Sequence, residues 1–302
     1  MRRLTRLVAV LAAFSDVAVA QELKQTLLRL DPVTGDYVID YKSGAESRRF
    51  VFTPATRITP RVRSSVGRAV TSESFDYEYE ISNHESSRQP LYSFSMPADS
   101  ATVMKPGPEG WRAGFTGLVN RAGWYKLTSP GEQRSGIPPG GSQRGFGFTS
   151  PSLPGPATAS FRGPTGAPVI PNDFPDDLRG ELYEALRELL GRDTVDVPVI
   201  SAVIPGASTT PGLKLSAFLK NVEQRYVISL GQSSHPGGLQ LLSGLRDAIE
   251  HASAGREAEA RRAVSLTLTV PGGDLDAWAE DLDKAFRFCL RYSAELPVGE
   301  PF

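Results

Sequence analysis

The sequence predicts a multidomain β + α protein, with an antiparallel β-sandwich in its first half and a small α-helical bundle in its second. Apolar residues alternate with polar ones in short segments of the first half, and recur every three or four residues in the second. Between the two patterns, residues 163–177 are rich in proline, which favours an extended spacer. We therefore expect a β-sandwich domain at 21–162, a linker at 163–177 and a helical domain at 178–302.

Residues 1–20 have the three zones of a secretory signal. A start with three arginines precedes an apolar run at 7–14, and small residues at 18–20 form a cleavage site. The apolar run is far shorter than the roughly 20 residues that span a bilayer, so a membrane anchor is the weaker interpretation. We expect cleavage near Ala20, a mature chain without a membrane span, and a secreted or periplasmic location.

Short strands separated by turn residues are predicted along the first half. Residues 23–42 indicate a hairpin whose turn contains Pro32 and Gly35, and 49–53 indicate a strand. The clearest strand is 74–82, where aromatic residues alternate with acidic ones. Later strands are predicted at 91–96, 119–127, 144–149 and 157–162.

Amphipathic helices are predicted along the second half, at 176–190, 213–230, 239–254 and 256–269. A last helix follows, for which Asp274 is the expected N-cap. Residues 192–211 fit either a packed loop or a short strand, and the pattern does not choose between them. Cys289 falls on the apolar stripe of the last helix, which favours a buried thiol over a reactive thiol or a dimer link.

Composition restricts the function classes. The formal net charge is −1, which is too near neutral to suggest nucleic acid or an anionic membrane as a partner. A hydrophobic content of 40% argues for folded domains rather than disorder. The single cysteine excludes an intrachain disulfide, so packing alone must stabilise the fold.

No catalytic residue, metal site or cofactor is predicted. The three histidines are His84, His235 and His251. His251 follows Asp247 by one helical turn, but two candidate ligands fall short of the three or four that zinc takes. The nucleophile motif G-x-S-x-G is absent from the sequence. A Ser-His-Asp triad is defined by geometry, so it stays an open alternative.

Two sets of acidic residues, one on the clearest strand and one on the last helix, are candidates for binding calcium through carboxylate oxygens. These acids are Asp76, Glu78, Glu80, Asp276, Glu280 and Asp283. The sequence contains no acid-rich loop with a fixed glycine, so solvated faces are the favoured interpretation.

Three aromatic residues are the candidate binding site: Trp111, Trp124 and Tyr125. Each follows a glycine or a predicted loop, and exposed aromatic rings on a secreted sandwich stack on sugars or peptides. The alternative is that the tryptophans belong to the core, as tryptophans in sandwiches commonly do.

The segments FDYEYEISNHESSRQPLYSFSM, the Gly–Trp pair at 110–111 and IPPGGSQRGFGFTSP resemble an immunoglobulin-like sandwich of predicted secreted bacterial proteins. The segment GLRDAIEHASAGREAEARRAV resembles small helical modules that follow such domains. The resemblance covers most of residues 70–300. It implies an N-terminal immunoglobulin-like fold, and it carries over no catalytic residue.

The expected function is that of an exported, non-catalytic binding or interaction protein, whose partner is an envelope or extracellular protein or a glycan. One alternative is an exported hydrolase with a site at the domain boundary. Another is that the helical end is an oligomerisation device.

Overall fold

A computed structural model of the 302-residue chain describes residues 28–69, 73–99, 101–115, 120–127, 136–164, 170–192, 194–206, 209–210, 213–232, 237–271 and 275–296. The predicted signal peptide lies outside the described residues. Among the residues described, no helix has both the length and the apolar character needed to cross a membrane.

Antiparallel sheets and five helices make up the described part of the chain. The strands are β1 (Arg29–Leu30), β2 (Tyr37–Ser43), β3 (Glu46–Phe52), β4 (Pro60–Arg68), β5 (Phe75–Asn83), β6 (Ser93–Pro97), β7 (Val103–Met104), β8 (Trp111–Phe115), β9 (Arg121–Lys126), β10 (Ser142–Ser150), β11 (Leu153–Arg162) and β12 (Val195–Ile204). The helices are α1 (Asp176–Arg192), α2 (Leu215–Gln232), α3 (Gly238–Ser253), α4 (Glu257–Thr267) and α5 (Ala277–Ser293).

The strands form three sheets. Their orders are β1-β2-β3, β4-β5-β10-β7 and β12-β11-β6-β9-β8. In the second sheet β5 lies between β4 and β10 and runs antiparallel to both, so β4 is an edge strand of that sheet.

The chain divides into two compact units, and each unit is built from two separate segments. One unit combines 1–57 with 162–194, and the other combines 58–161 with 195–302. The predicted division at 163–177 differs from this arrangement. The reason is that side-chain periodicity reports local structure, whereas the units are set by strand pairing between distant segments.

The smaller unit contains the predicted hairpin. The Asp31 carboxylate accepts a hydrogen bond from the amide of Val33 at 2.9 Å, and Gly35 takes a φ of +65° before β2 begins. This sheet, α1 and the residues just before α1 share a small apolar core that consists of Ile39, Tyr41, Ile170, Phe174, Leu182 and Leu186.

The larger unit has one continuous core to which strands and helices both contribute. Tyr77 of β5, Phe148 of β10, Phe218 of α2 and Leu282 of α5 are all fully buried in it. The helices therefore do not enclose an apolar core of their own.

Within residues 192–211, which the sequence left open, Val195–Ile204 form strand β12. Phe161 of β11 pairs with Val195 of β12, and the ladder continues to Leu153 opposite Ile204. The N-cap of the last helix is also resolved. The Asp276 carboxylate accepts a hydrogen bond from the amide of Ala279 at 2.8 Å, so the cap is Asp276 rather than the predicted Asp274, which lies outside the described residues.

Candidate functional site

The three aromatic residues predicted as a binding site do not form a common surface. Trp124 is 1% exposed and stacks on Phe94, with ring centroids 5.0 Å apart. Trp111 is buried edge-on against Phe146, also at 5.0 Å. Tyr125 alone is exposed, opposite Arg112 of β8. The two tryptophans are core residues, which is the alternative that the sequence left open.

The acidic residues of β5 are paired with cations or hydroxyl groups. Asp76 accepts a hydrogen bond from the Thr149 hydroxyl at 2.7 Å, and this bond lowers the pKa of Asp76. Glu80 lies 2.9 Å from Arg144, whose hydrogen bond is the first cause of the lowered pKa of Glu80. Lys105 lies 3.5 Å from Glu78. These carboxylates therefore belong to a network of ion pairs.

The acidic residues of α5 have separate structural roles. Asp276 caps the helix, and the Asp283 carboxylate accepts a hydrogen bond from Arg287 at 2.7 Å. Glu280 accepts hydrogen bonds from Arg63 at 2.7 Å and Lys284 at 2.5 Å. No group of three or more His, Cys, Asp or Glu side chains that could hold a metal occurs among the residues that the structure describes.

The two histidines that the structure describes lie on separate elements. His84 lies in a loop, where its Nδ1 is 2.9 Å from the Ser86 hydroxyl. His251 lies on α3 one turn after Asp247. His235 lies outside the described residues.

A groove of about 850 Å³ is the candidate site, and it lies wholly within the larger unit. Its walls come from β4, β5, β10, β12, the residues that follow β7, and α5. Apolar atoms of Val66, Phe146 and Phe288 line it together with the cations Arg63, Lys105, Arg144 and Lys284.

The β10 wall owes its shape to a bulge. The pairing register of β10 with β5 shifts between Gln143 and Phe146, and Gly145 takes a φ of +93° there. A bulge re-aims the side chains beside it, and glycine adopts this positive φ without a steric cost from Cβ. Arg144 sits in the bulge and is 81% exposed at the groove.

Asp281 is the buried charge of the groove. Its side chain is 3% exposed, and its Oδ2 accepts a hydrogen bond from the amide of Ser64 at 2.6 Å. Its Oδ1 lies 3.4 Å from Arg63. Burial raises the pKa of Asp281, while the bond from Ser64 and the charge of Arg63 oppose that rise.

The pKa of Glu280, the preceding residue of the helix, is shifted in the opposite direction. The hydrogen bond from Lys284, followed by that from Arg63, lowers the pKa of Glu280 to about 2. The sequence pattern marks Glu280 as a candidate acid, and Asp281 is not among the candidates. A signal was present, because Asp281 lies one turn after Trp278 and directly before Leu282, on the flank of the apolar stripe.

The groove combines an apolar surface with charged donors and paired acids. No histidine of the described residues lines it. Serine hydroxyls lie on its β4 wall, at Ser64 and Ser65, and the Ser64 hydroxyl accepts a hydrogen bond from the amide of Ile200 at 3.4 Å.

No family model matches the chain, and no curated protein matches it. A solved structure of an uncharacterised protein from Nocardia farcinica, described as having an immunoglobulin-like fold, aligns with 38% of this chain and 92% of its own length. The sequence identity is 16% and the TM-score is 0.26. At this TM-score the likeness supports no inference about the function of the chain.

Proposed function

We propose that the chain is an exported, non-catalytic binding protein and that the groove between β4, β10 and α5 holds its ligand. One observation supports this most. The volume of about 850 Å³ falls within the range of roughly 300–1,000 Å³ that is typical of small-molecule sites. The export part of the proposal rests on the three-zone pattern of residues 1–20.

The proposal includes an immunoglobulin-like packing of the two larger sheets. Aromatic contacts between the sheets support it: Phe94 of β6 lies 5.0 Å from Phe146 of β10, and Trp124 of β9 lies 6.4 Å from Phe148 of β10. Interdigitation of side chains from two inner faces is the mark of a sandwich.

We also propose that the helices form a small bundle on this unit. Helix α2 packs against α3 and α5, and α3 packs against α4. Tyr226 of α2 meets Phe286 of α5 with ring centroids 5.1 Å apart, which supports the packing of these two helices.

A groove-filling variant tests the function. Ser65 is an exposed residue of β4 that lines the groove, so Ser65→Trp places an indole in the ligand space without disturbing a buried side chain. Ser47→Trp, at an exposed position of β3, is the matched control. We expect ligands found by a thermal-shift screen of glycans, peptides and small amphiphiles to lose binding in Ser65→Trp and to keep it in Ser47→Trp.

Two outcomes would contradict the proposal. If every ligand found in the screen binds Ser65→Trp as tightly as it binds the wild type, the binding site lies outside the groove. Turnover of esterase, glycosidase or peptidase substrates by the purified protein would favour the hydrolase alternative.

A further inference from the structure

The groove has hydrogen-bond donors in excess of what its own acids use. Among the described residues, Arg144 is ion-paired with a single acid, Glu80, and Lys284 with a single acid, Glu280. A guanidinium has five N–H groups and an ammonium has three, so both cations retain donors. Arg144 is 81% exposed and Lys284 is 63% exposed, so these donors are accessible from solvent.

The two cations come from different walls. Arg144 belongs to the bulge of β10 and Lys284 to α5. Both side chains line the same groove, so a ligand in it faces cations from both walls. Arginine and lysine both bind carboxylates and phosphates by charge-assisted hydrogen bonds.

The acids of the groove are less available to a cationic ligand than its cations are to an anionic one, because each acid already has a partner. Glu78 faces Lys105, Glu80 accepts from Arg144 and the Ser142 hydroxyl, and Asp281 accepts from the Ser64 amide beside Arg63. A cationic ligand would have to displace these partners. An anionic ligand would meet the N–H groups of Arg144 and Lys284 that their single ion pairs leave unused.

Apolar surface lies in the same groove. Val66 of β4 and Phe288 of α5 are only partly buried, and the buried Phe146 of β10 also lines the groove. Contact with such side chains removes apolar ligand surface from water, which stabilises the complex by about 25 cal/mol for each Å² buried. A ligand with an apolar chain therefore gains affinity from the part of the groove that carries no charge.

We propose that the groove selects an anionic amphiphile, a small molecule with a carboxylate on an apolar chain, whose carboxylate is held by Arg144 and Lys284. This inference rests on the proposed function, since it names the ligand class of the same groove. Two observations support the inference. The cations Arg144 and Lys284 complement the charge of a carboxylate, and the partly buried Val66 and Phe288 offer apolar surface to the chain.

Titration calorimetry with three probes of equal chain length tests the inference, each kept below its micelle concentration. Decanoate is the anion, decanol the neutral analogue and decyltrimethylammonium the cation. We expect decanoate to bind at least about tenfold more tightly than the other two, because charged hydrogen bonds contribute at least that factor. Acetate, which has the carboxylate without the chain, should not compete.

Charge-neutral variants locate the effect. Arg144→Gln and Lys284→Gln should each weaken decanoate binding about tenfold and leave decanol binding unchanged. Arg225→Gln and Lys220→Gln are the matched controls, because both residues are exposed on α2 and neither lines the groove. A rise in melting temperature with decanoate shows that the probe binds the folded chain rather than unfolding it.

The inference is overturned if decanoate does not bind, if decanol or the cation binds as tightly, or if the two groove variants behave as the controls do. The proposed function is judged separately. If Ser65→Trp abolishes the binding of a neutral or cationic ligand, the groove remains a binding site and only the anionic selectivity is refuted.

Discussion

The carboxylate of Asp281 accepts a hydrogen bond from the backbone amide of Ser64 at 2.6 Å, so a helix side chain binds the outer edge of β4. In a larger sheet, the carbonyl of a further strand would occupy this place. An unpaired strand edge is a template for pairing with another chain, and covering it is a known protection against aggregation. Arg63, the preceding residue of β4, adds its contact with Glu280.

Loss of the Asp281 carboxylate should destabilise the fold. Asp281→Ala leaves the Ser64 amide without its acceptor, and we expect a cost of about 1–3 kcal/mol in the free energy of unfolding. Asp281→Asn keeps a carbonyl oxygen at this position and should cost less. Urea denaturation measures both, with Asp247→Ala at an exposed position of α3 as the control. An alanine variant as stable as the control would remove the structural role of the carboxylate.

The pH dependence of Asp281 has a definite sign. Burial raises its pKa above the ordinary value of 3.8, so the folded state binds this proton more tightly than the unfolded state does. The wild-type protein should therefore lose stability relative to Asp281→Asn as pH rises from below 3.8 through the raised pKa. Unfolding free energies of the two proteins between pH 3 and pH 7 measure this difference. If the wild type instead gains stability relative to Asp281→Asn as pH rises, burial does not raise the pKa of Asp281.

Glu280 should show the opposite dependence. Its pKa falls from the ordinary value of 4.5 to about 2, so its contribution to stability is present above 4.5 and is lost as pH falls toward 2. Glu280→Gln should be less stable than the wild type at neutral pH and equally stable near pH 2. Salt should reduce the neutral-pH gap, since Glu280 is partly exposed. If the stability difference between the wild type and Glu280→Gln is the same at the two pH values, the ion pairs of Glu280 with Arg63 and Lys284 do not stabilise the fold.

The end of α5 depends on one arginine. Arg261 of α4 donates hydrogen bonds to the carbonyl oxygens of Ser293 at 3.1 Å, Ala294 at 2.8 Å and Leu296 at 2.9 Å. The last carbonyl groups of a helix have no partner within the helix, and Arg261 satisfies those of Ser293 and of the C-cap residue Ala294. We expect Arg261→Ala to lower the free energy of unfolding by about 1–3 kcal/mol, measured in urea. The neighbouring Arg262→Ala, at an exposed position, should change it by less than about 0.5 kcal/mol.

Two glycines of the same sheet should respond differently to alanine. A Cβ at Gly147 of β10 would lie 2.5 Å from the carbonyl oxygen of Tyr77, so Gly147→Ala forces the strands apart and should cost about 1–3 kcal/mol. A Cβ at Gly67 of β4 would meet no atom within 4 Å. Gly67→Ala should therefore be tolerated. Thermal unfolding of the two variants compares them, and equal melting temperatures would refute the close approach of β10 to β5.

Strand β5 could be predicted because its inward residues are large and its outward residues are acidic, which makes the alternation plain. Its neighbour β4 was not predicted. The inward residues of β4 are Val62, Ser64 and Val66, opposite Ile81, Tyr79 and Tyr77. A serine at the centre of a short valine pattern hides the alternation, and the strand is stabilised by cross-strand contacts that sequence does not display.

The candidate site could not be predicted for a related reason. Asp281 is buried because α5 meets a strand 217 residues earlier in the chain, and no local pattern contains that contact. The exposure of Arg144 depends on a bulge whose glycine resembles an ordinary turn residue in the sequence. The tryptophans were predicted as a binding surface and are core residues, because a large aromatic residue fits a core and a binding surface equally well.

The ladder between β11 and β12 has a consequence for how the chain is made. Synthesis proceeds from the N-terminus, so β11 is complete while β12 has not yet been added, and the residues between them belong to the other unit. During that interval the edge of β11 that β12 will cover lacks its permanent neighbour. A nascent or truncated chain that ends before residue 195 therefore presents this edge to other molecules, and chaperones that hold unfolded chains would meet it there.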